Sequence, residues 1–550
     1  MSSDTIGQYA PEAGESSTPF VLLFLALLAH KFLRIGQRAA SLPKGPPTIP
    51  LLGNLHVLPT SDLHLRFTEW AHQYGDIYSL KIGPETAIVI TSIEAARELM
   101  DKRSTSTCDR PKNHMAEKVT MGLNMTFCPY SDRWRALRKA AHMILGTSKA
   151  VERYAPILKA EATQVLFDLL NAPDDFFKHI GRYSNSVIMS ILFGKRCPRY
   201  ESAESVAFFK AAEAFNHTLS PSIPPVDLLP FLDYIPERWA WWKGLAKQVR
   251  QMQRRLYFGL LDECEARMNM GEETGSCMED LLRRKEELGL NRELVGHLGG
   301  VLLEGASETT SSFLRYLILL LVAFPEVQRK AQEEIDRVIG RNRLPTAEDF
   351  KNLPYIQALI KETHRFHPVG PLAVPHATLT DETFRGYVIP KGTTVFVNTY
   401  GIFHHPDYFD NPHAFFPERY LVNEYGTKLD VDVGAFRDNL AFGYGRRICP
   451  GMHLANSSLM LNAMNFIWAF DFGSRKDNEG NDIPVRLDSY DKKGFFPFTT
   501  PFECSIRPRD EGVVDIIRRE FKGATETFVK FERDLAEADG QWVQELRGNM

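Results

Sequence analysis

The ten residues 442–451, FGYGRRICPG, constrain this 550-residue chain more than any other stretch. They set one cysteine, Cys449, between glycines at 445 and 451, with Arg447 two positions before it and Phe442 seven before it. Glycine permits backbone angles and close approaches that a side chain would block, so the segment reads as a tight loop. Directly after it, Leu454, Met460, Leu461, Met464, Ile467 and Trp468 recur at helical spacing, which predicts a helix beginning near Gly451. The free N–H groups and positive dipole end of such a helix point back at the sulfur. Cysteine binds metal as thiolate, and these surroundings favour the thiolate. Arg447 is placed to pair with a carboxylate on the rim of a flat anionic cofactor, and Phe442 to shield the sulfur from water. A cysteine by itself is more often a small buried hydrophobe. The complete spacing Phe-x-x-Gly-x-Arg-x-Cys-x-Gly is what argues for a ligand.

The rest of the composition excludes several other classes. With 44% hydrophobic and 24% charged residues the chain is globular, and a net charge of −4 carries no basic footprint of a nucleic-acid binder. Seven cysteines without a CxxC pair argue against zinc, and an odd count without a disulfide framework points to a reducing compartment. Asn-x-Ser/Thr sequons at Asn124, Asn216 and Asn456 read as chance matches.

The amino end carries an unbroken apolar run over residues 20–29, followed by His30, Lys31, Arg34 and Arg38 and preceded by Asp4, Glu12 and Glu15. Ten helical residues reach ~15 Å, about half of a ~30 Å bilayer core. Extension to Ile35 spans it if Lys31 and Arg34 snorkel to the interface. The basic flank would keep the following chain in the cytosol. A cleaved signal peptide is the competing reading, but its small-residue cleavage site is missing. The expected organisation is a short lumenal tail (1–19), a single-pass membrane anchor (20–36), a stiff proline-rich linker (37–50), a catalytic domain (51–510) and a charged, amphipathic or loosely ordered helical extension (511–550).

The catalytic segment reads as one mainly α domain with small β-sheets. Residues 78–82 and 87–91 flank Gly83-Pro84 as a hairpin, and residues 383–389 and 393–398 flank Pro390-Lys391-Gly392 in the same way. The proline-rich stretch 221–236, with Trp239, Trp241 and Trp242 after it, reads as a loop between helices. Such a loop could touch a membrane, roof a pocket or simply pack in the core.

Three further constellations bear on chemistry. Residues 291–324 form a helix of some nine turns whose middle reads Gly305-Ala306-Ser307-Glu308-Thr309-Thr310. Glu308 beside Thr309 supplies an acid and an alcohol, the pairing that proton delivery to bound dioxygen requires. Thr309 is also spaced to bond back to the Gly305 carbonyl and open the helix locally. A small-residue helix contact is the bland alternative. Second, Glu362 and Arg365 share a helix face, an arrangement that contributes only ~0.2–0.5 kcal/mol when exposed; Arg419 in Phe416-Pro-Glu-Arg-Tyr420 is a candidate third member. Third, Trp134 and Arg138 lie one turn apart, with Arg133, Arg135 and Lys139 around them.

The loop at 442–451 resembles the cysteine-ligand signature of the cytochrome P450 haem-thiolate monooxygenases. The other motifs are similar to that family's oxygen-activation helix, ExxR pair, PERF-like segment and WxxxR motif, in the family's order. The resemblance covers residues 42–510. It implies a P450 fold with haem b on Cys449 as axial metal ligand, the thiolate favouring O–O cleavage. Arg447, Trp134, Arg138 and His376 would contact the haem propionates, and Phe442 would cover the sulfur. Thr309 and Glu308 would be the catalytic proton suppliers. Ala306 stands where the family often has glycine, and its methyl would narrow the oxygen groove without abolishing it. An NADPH-dependent flavoprotein reductase would supply electrons; Arg133, Arg135, Lys139 and Arg446 form either a basic patch for an acidic electron donor or simply a solvated face. Pocket segments would be 107–128, 215–230, 298–309, 369–376 and 495–498, with Val301, Leu302, Val369, Leu372, Val374, Phe495 and Phe496 making them apolar. That implies a lipophilic substrate, with the texture of fungal secondary metabolism (a terpenoid or polyketide intermediate), and residence on the endoplasmic reticulum membrane. The rival functions are a haem-thiolate isomerase or dehydratase using no external electrons, against which the Glu308–Thr309 pair argues, and a non-catalytic haem-binding protein.

Overall fold

The computed structural model describes residues 18–220, 226–227, 229–492 and 494–548. The main helices, in chain order, are α1 (Thr18–Arg34), α2 (Asp132–Leu145), α3 (Ala155–Asn171), α4 (Phe176–Phe193), α5 (Ala203–Thr218), α6 (Trp241–Met270), α7 (Arg292–Ala323), α8 (Pro354–Phe366), α9 (Met452–Ala469), α10 (Glu511–Phe528) and α11 (Glu537–Gly548). Strands are short: β1 (Ile77–Ile82), β2 (Glu85–Ile90), β3 (His376–Ala377), β4 (Glu382–Phe384), β5 (Tyr387–Ile389) and β6 (Thr394–Val397). The chain is therefore mainly α with small sheets, as its pattern predicts.

The pillar of the core is α7. Asn291 caps it by accepting the Leu294 N–H at 2.9 Å. Its carboxyl half, Leu317 to Leu321, is buried on every side, as a helix that is apolar all round must be. It packs against α4 and α9, so the helix that carries Glu308 touches the one that follows Cys449.

β1 and β2 form the expected hairpin, with Ile77 opposite Ile90 and Ile82 opposite Glu85. The second expected hairpin is corrected. β4 pairs with β5 around Arg385 and Gly386, both at positive φ (+50° and +81°), the backbone of a two-residue hairpin turn. β6 instead joins β2 in parallel and β3 antiparallel, giving a four-stranded sheet ordered β1-β2-β6-β3.

The proline-rich segment is held in place by hydrogen bonds. Arg38 donates to the Gly45 and Pro46 carbonyls and to both Ser79 oxygens, while Asn54 donates to the Pro46 and Pro47 carbonyls. This clamps the segment onto β1. The residues after 510 are equally well attached. α10 buries Val513, Val514, Ile516, Ile517, Phe521 and Phe528 and packs on α3. Ion pairs Arg196–Glu532, Arg267–Asp534 and Arg199–Asp539 tie down the chain that follows.

α1 is 17 residues, and its Leu22, Leu23, Phe24, Leu25, Leu27, Phe32 and Leu33 are exposed. Among the described residues no single helix is long and apolar enough to cross a membrane. Residues 1–17 of the tail expected over 1–19, and the loop residues 221–225 and 228, lie outside the described residues, and α1 takes up the last two residues of that tail.

Candidate active site

The cysteine loop is held by its backbone. Gly443 (φ +88°) and Gly445 (φ +53°) carry the left-handed turns. A Cβ on Gly445 would lie 2.1 Å from the Met100 carbonyl oxygen, so only glycine fits there. The Gly445 N–H donates to Asp101 Oδ1 at 2.8 Å. The Cys449 N–H donates to the Phe442 carbonyl at 2.9 Å, closing the loop. Gly451 corrects an expectation: its φ is −92°, and a Cβ there would meet Leu145 Cδ1 at 3.9 Å and Cys449 Sγ at 4.0 Å, both ordinary contacts.

α9 begins at Met452, directly behind the sulfur. Burial pushes the Cys449 thiol above its usual value, while the Gly451 N–H and the Arg138 charge pull it down. Those two groups are the ones a thiolate needs, a helix-start N–H and a cation. The other six cysteines are buried. The Phe442 ring packs 5.5 Å from the His364 ring.

Beside this loop lie Arg447, Arg110 and Arg138, which form no ion pair among the described residues, whereas Arg437 pairs with Asp101. Arg447 is buried and donates to the carbonyls of Cys108, Met125 and Cys128 at 2.8, 3.1 and 3.0 Å. Its guanidinium lies 4.2 Å from the Trp134 ring, and Trp134 Nε1 donates to Met125 O at 3.2 Å. Burial lowers Arg447 to about 10. Arg110, which the sequence reading missed, is buried beside it and donates to the carbonyls of Thr126, Val374 and Pro375. Burial, and then the Arg447 charge, hold Arg110 well below its usual value. His376 Nδ1 lies 2.9 Å from Thr107 O; burial and then Arg110 keep its imidazole neutral. Arg138 is half-buried, lowered by burial and raised by Cys449. Among the described residues no carboxylate forms an ion pair with Arg110, Arg138 or Arg447. Buried guanidinium is costly without an anion. This set therefore fits a flat cofactor that presents a metal to Cys449 and carboxylates to the arginines.

On α7, Thr309 Oγ1 donates to the Gly305 carbonyl at 2.6 Å, the back-bond expected from its spacing. A Cβ on Gly305 would meet nothing within 4 Å. Glu308 is half-buried, and burial raises its carboxyl above the usual range while Arg315 opposes the shift.

The bracing network is complete and buried, so the surface-pair figure does not apply. Glu362 and Arg365 are 0% exposed and joined by two bonds of 2.7 and 2.8 Å. Arg419 reaches Glu362 at 3.2 Å, and the Phe416 N–H adds a fourth bond at 2.8 Å. Arg365 also binds the carbonyls of Phe403, Pro412 and Ala414, so one helix face holds the chain that leads toward the cysteine loop.

Phe127, Phe215, Phe495 and Phe496 form a chain of ring contacts with centroids 6.0, 5.9 and 4.9 Å apart, joining three of the expected pocket segments. At the surface, Arg133, Arg135, Lys139 and Arg446 are exposed, and Arg135 and Arg446 both lie 5.8 Å from the Tyr130 ring.

Comparison with known proteins fits this geometry. The sequence profile of the Cytochrome P450 family matches residues 43–490. A cytochrome P450 monooxygenase of Armillaria gallica is 43% identical over 517 residues, covering 94% of this chain and 98% of that protein. A cytochrome P450 monooxygenase of Arthrobotrys oligospora is 38% identical over 520 residues (92% and 96%), and yanC of Aspergillus niger is 38% identical over 519 residues (92% and 96%). The chain belongs to the cytochrome P450 family. It is a monooxygenase, and its cofactor is haem, which this family holds through a cysteine thiolate.

Proposed function

We propose that Cys449 is the axial ligand of haem b and that the enzyme oxygenates a lipophilic small molecule of fungal secondary metabolism, a terpenoid or polyketide intermediate. The observation that carries the ligand assignment is the Cys449 sulfur, served by the Gly451 N–H and Arg138, beside Arg447 and Arg110, whose guanidiniums are buried on backbone carbonyls and form no ion pair among the described residues. When bound, the haem supplies dioxygen activation and the oxidation of an unactivated carbon. Arg447, Arg110, Arg138, Trp134 and His376 would hold its carboxylates and orient it, and Phe442 would shield the Cys449 sulfur from water. Glu308, half-buried and with its carboxyl raised by burial, would donate a proton, and Thr309 beside it on α7 would relay it. The phenylalanine chain receives the substrate and supports its lipophilic character. The exposed basic patch receives an acidic, NADPH-dependent flavoprotein reductase. α1, with its exposed leucines, anchors the catalytic domain to the cytosolic side of the endoplasmic reticulum membrane.

The test is Thr309→Ala in the holoenzyme with reductase. The haem spectrum stays as in the wild type, while NADPH and oxygen are diverted from product and water into hydrogen peroxide. Unchanged coupling removes Thr309 from this role.

A further inference from the structure

One turn before Glu308, on the side of α7 facing α6, lies an acid outside the Gly305–Thr310 motif. Glu304 Oε1 accepts a hydrogen bond from the Gln253 amide at 2.7 Å and another from the Tyr257 hydroxyl. Both donors are buried and stand one turn apart on α6. The packing builds this arrangement. Gly300, one turn before Glu304, has no side chain, and a Cβ there would lie 2.3 Å from the Tyr257 ring. The ring therefore sits against α7 with its hydroxyl at Glu304. Among the described residues no cation forms an ion pair with Glu304. Glu308 follows at i+4, so two carboxyls share one helix face and resist joint ionisation. Burial raises Glu304 to about 7, against the pull of its two donors and with the help of the Glu308 charge. Around Glu308 stand Arg315 of the same helix, Glu213 of α5 and Tyr200.

We propose that Glu304 is a second proton-holding acid of this helix, which passes its carboxyl proton to the Glu308 carboxylate each time Glu308 gives one up and is then reprotonated from water. Tyr257 and Gln253 hold the relaying carboxyl in place. Glu304 acts through Glu308 and is thus a supply and positioning residue. The proposal rests on the reading of Glu308 and Thr309 as proton suppliers.

The first readout needs no turnover. Infrared difference spectra of the full-length holoprotein, wild type against Glu304→Gln, are expected to contain a protonated-carboxyl C=O band that titrates away with a midpoint near 7. Tyr257→Phe, which removes only a hydroxyl, is expected to shift that band. The second readout is the ratio of peroxide to water formed from NADPH and oxygen with reductase and no added organic substrate. Glu304→Gln is expected to depress the water-forming branch about tenfold, less than the ~10²-fold of a directly acting general acid. Glu304→Asp is expected to restore much of that loss. The proposal is overturned if Glu304→Gln removes no titrating band, or if it leaves the ratio unchanged while Glu308→Gln raises peroxide. If Glu308→Gln also leaves the ratio unchanged, the acid–alcohol reading fails first and the relay falls with it.

Discussion

Phe521→Ala separates a tail that is merely attached from one that belongs to the cooperative body. Phe521 is 1% exposed, and its ring stacks on Phe167 of α3 with centroids 4.3 Å apart and planes at 23°. Removing a fully buried phenylalanine costs about 3–5 kcal/mol, of which the ring pair accounts for ~0.5–1.5. If α10 unfolds together with the haem domain, the whole protein bears that loss. With a urea slope of about 3 kcal/mol/M, the midpoint falls by roughly 1–1.7 M. The assay is urea unfolding of the holoprotein, followed in parallel by the haem band and by tryptophan fluorescence, since Trp468 of α9 is wholly buried. Both signals should move together. A double-mutant cycle with Phe167→Ala should return a coupling within the ring-pair range. A midpoint shift below ~0.3 M, or a separate early transition confined to the extension, refutes the reasoning.

Three other perturbations test the frame around the site. Gly445→Ala forces a side chain into a φ of +53° and against Met100 O, so it should lose at least ~1–2 kcal/mol and much of its bound haem, measured as haem per protein; Gly451→Ala should be far milder. Glu362→Gln strands two buried guanidiniums and should cost about 3–5 kcal/mol by urea unfolding, with a matching loss of folded holoprotein. Glu304 has a folded pKa raised from 4.5 to about 7, so its contribution to stability is full below the unfolded value and is lost as pH rises through this window. Glu304→Gln should therefore gain on the wild type between about pH 5 and about pH 7 and hold a constant difference above it, read as urea midpoints.

The cysteine loop, the helix behind it and the long helix bearing Glu308 were legible because each is local: glycine placement, helical period and an acid–alcohol pair are written within a few residues. The Glu362–Arg365–Arg419 network was legible as a set of residue types, but its weight was not. Exposed, such a pair contributes tenths of a kcal/mol; the structure buries it completely, and burial is decided by chain far away. Other features depend on partners chosen at long range. Local alternation cannot tell that β6 leaves β5 for β2, although the Arg-Gly pair at 385–386 marks the true hairpin. Arg110 sits in an irregular segment without period, and only its convergence with Arg447 gives it meaning. The extension reads as either an amphipathic or a loosely ordered helix because its charges dominate the composition, and the structure has the amphipathic one. Its Val513, Ile517 and Phe521 recur at helical spacing and mark the buried face. Glu304 reads as one more residue of α7 until Tyr257 is brought against Gly300.

The reduced, carbon monoxide-bound absorption spectrum tests the central assignment directly. A haem held by the Cys449 thiolate should give a Soret band far to the red of an imidazole-ligated haem, and Cys449→Ala should abolish that band in protein that remains folded. A well-folded holoprotein without the red-shifted band, or a Cys449→Ala variant that keeps it, contradicts the account.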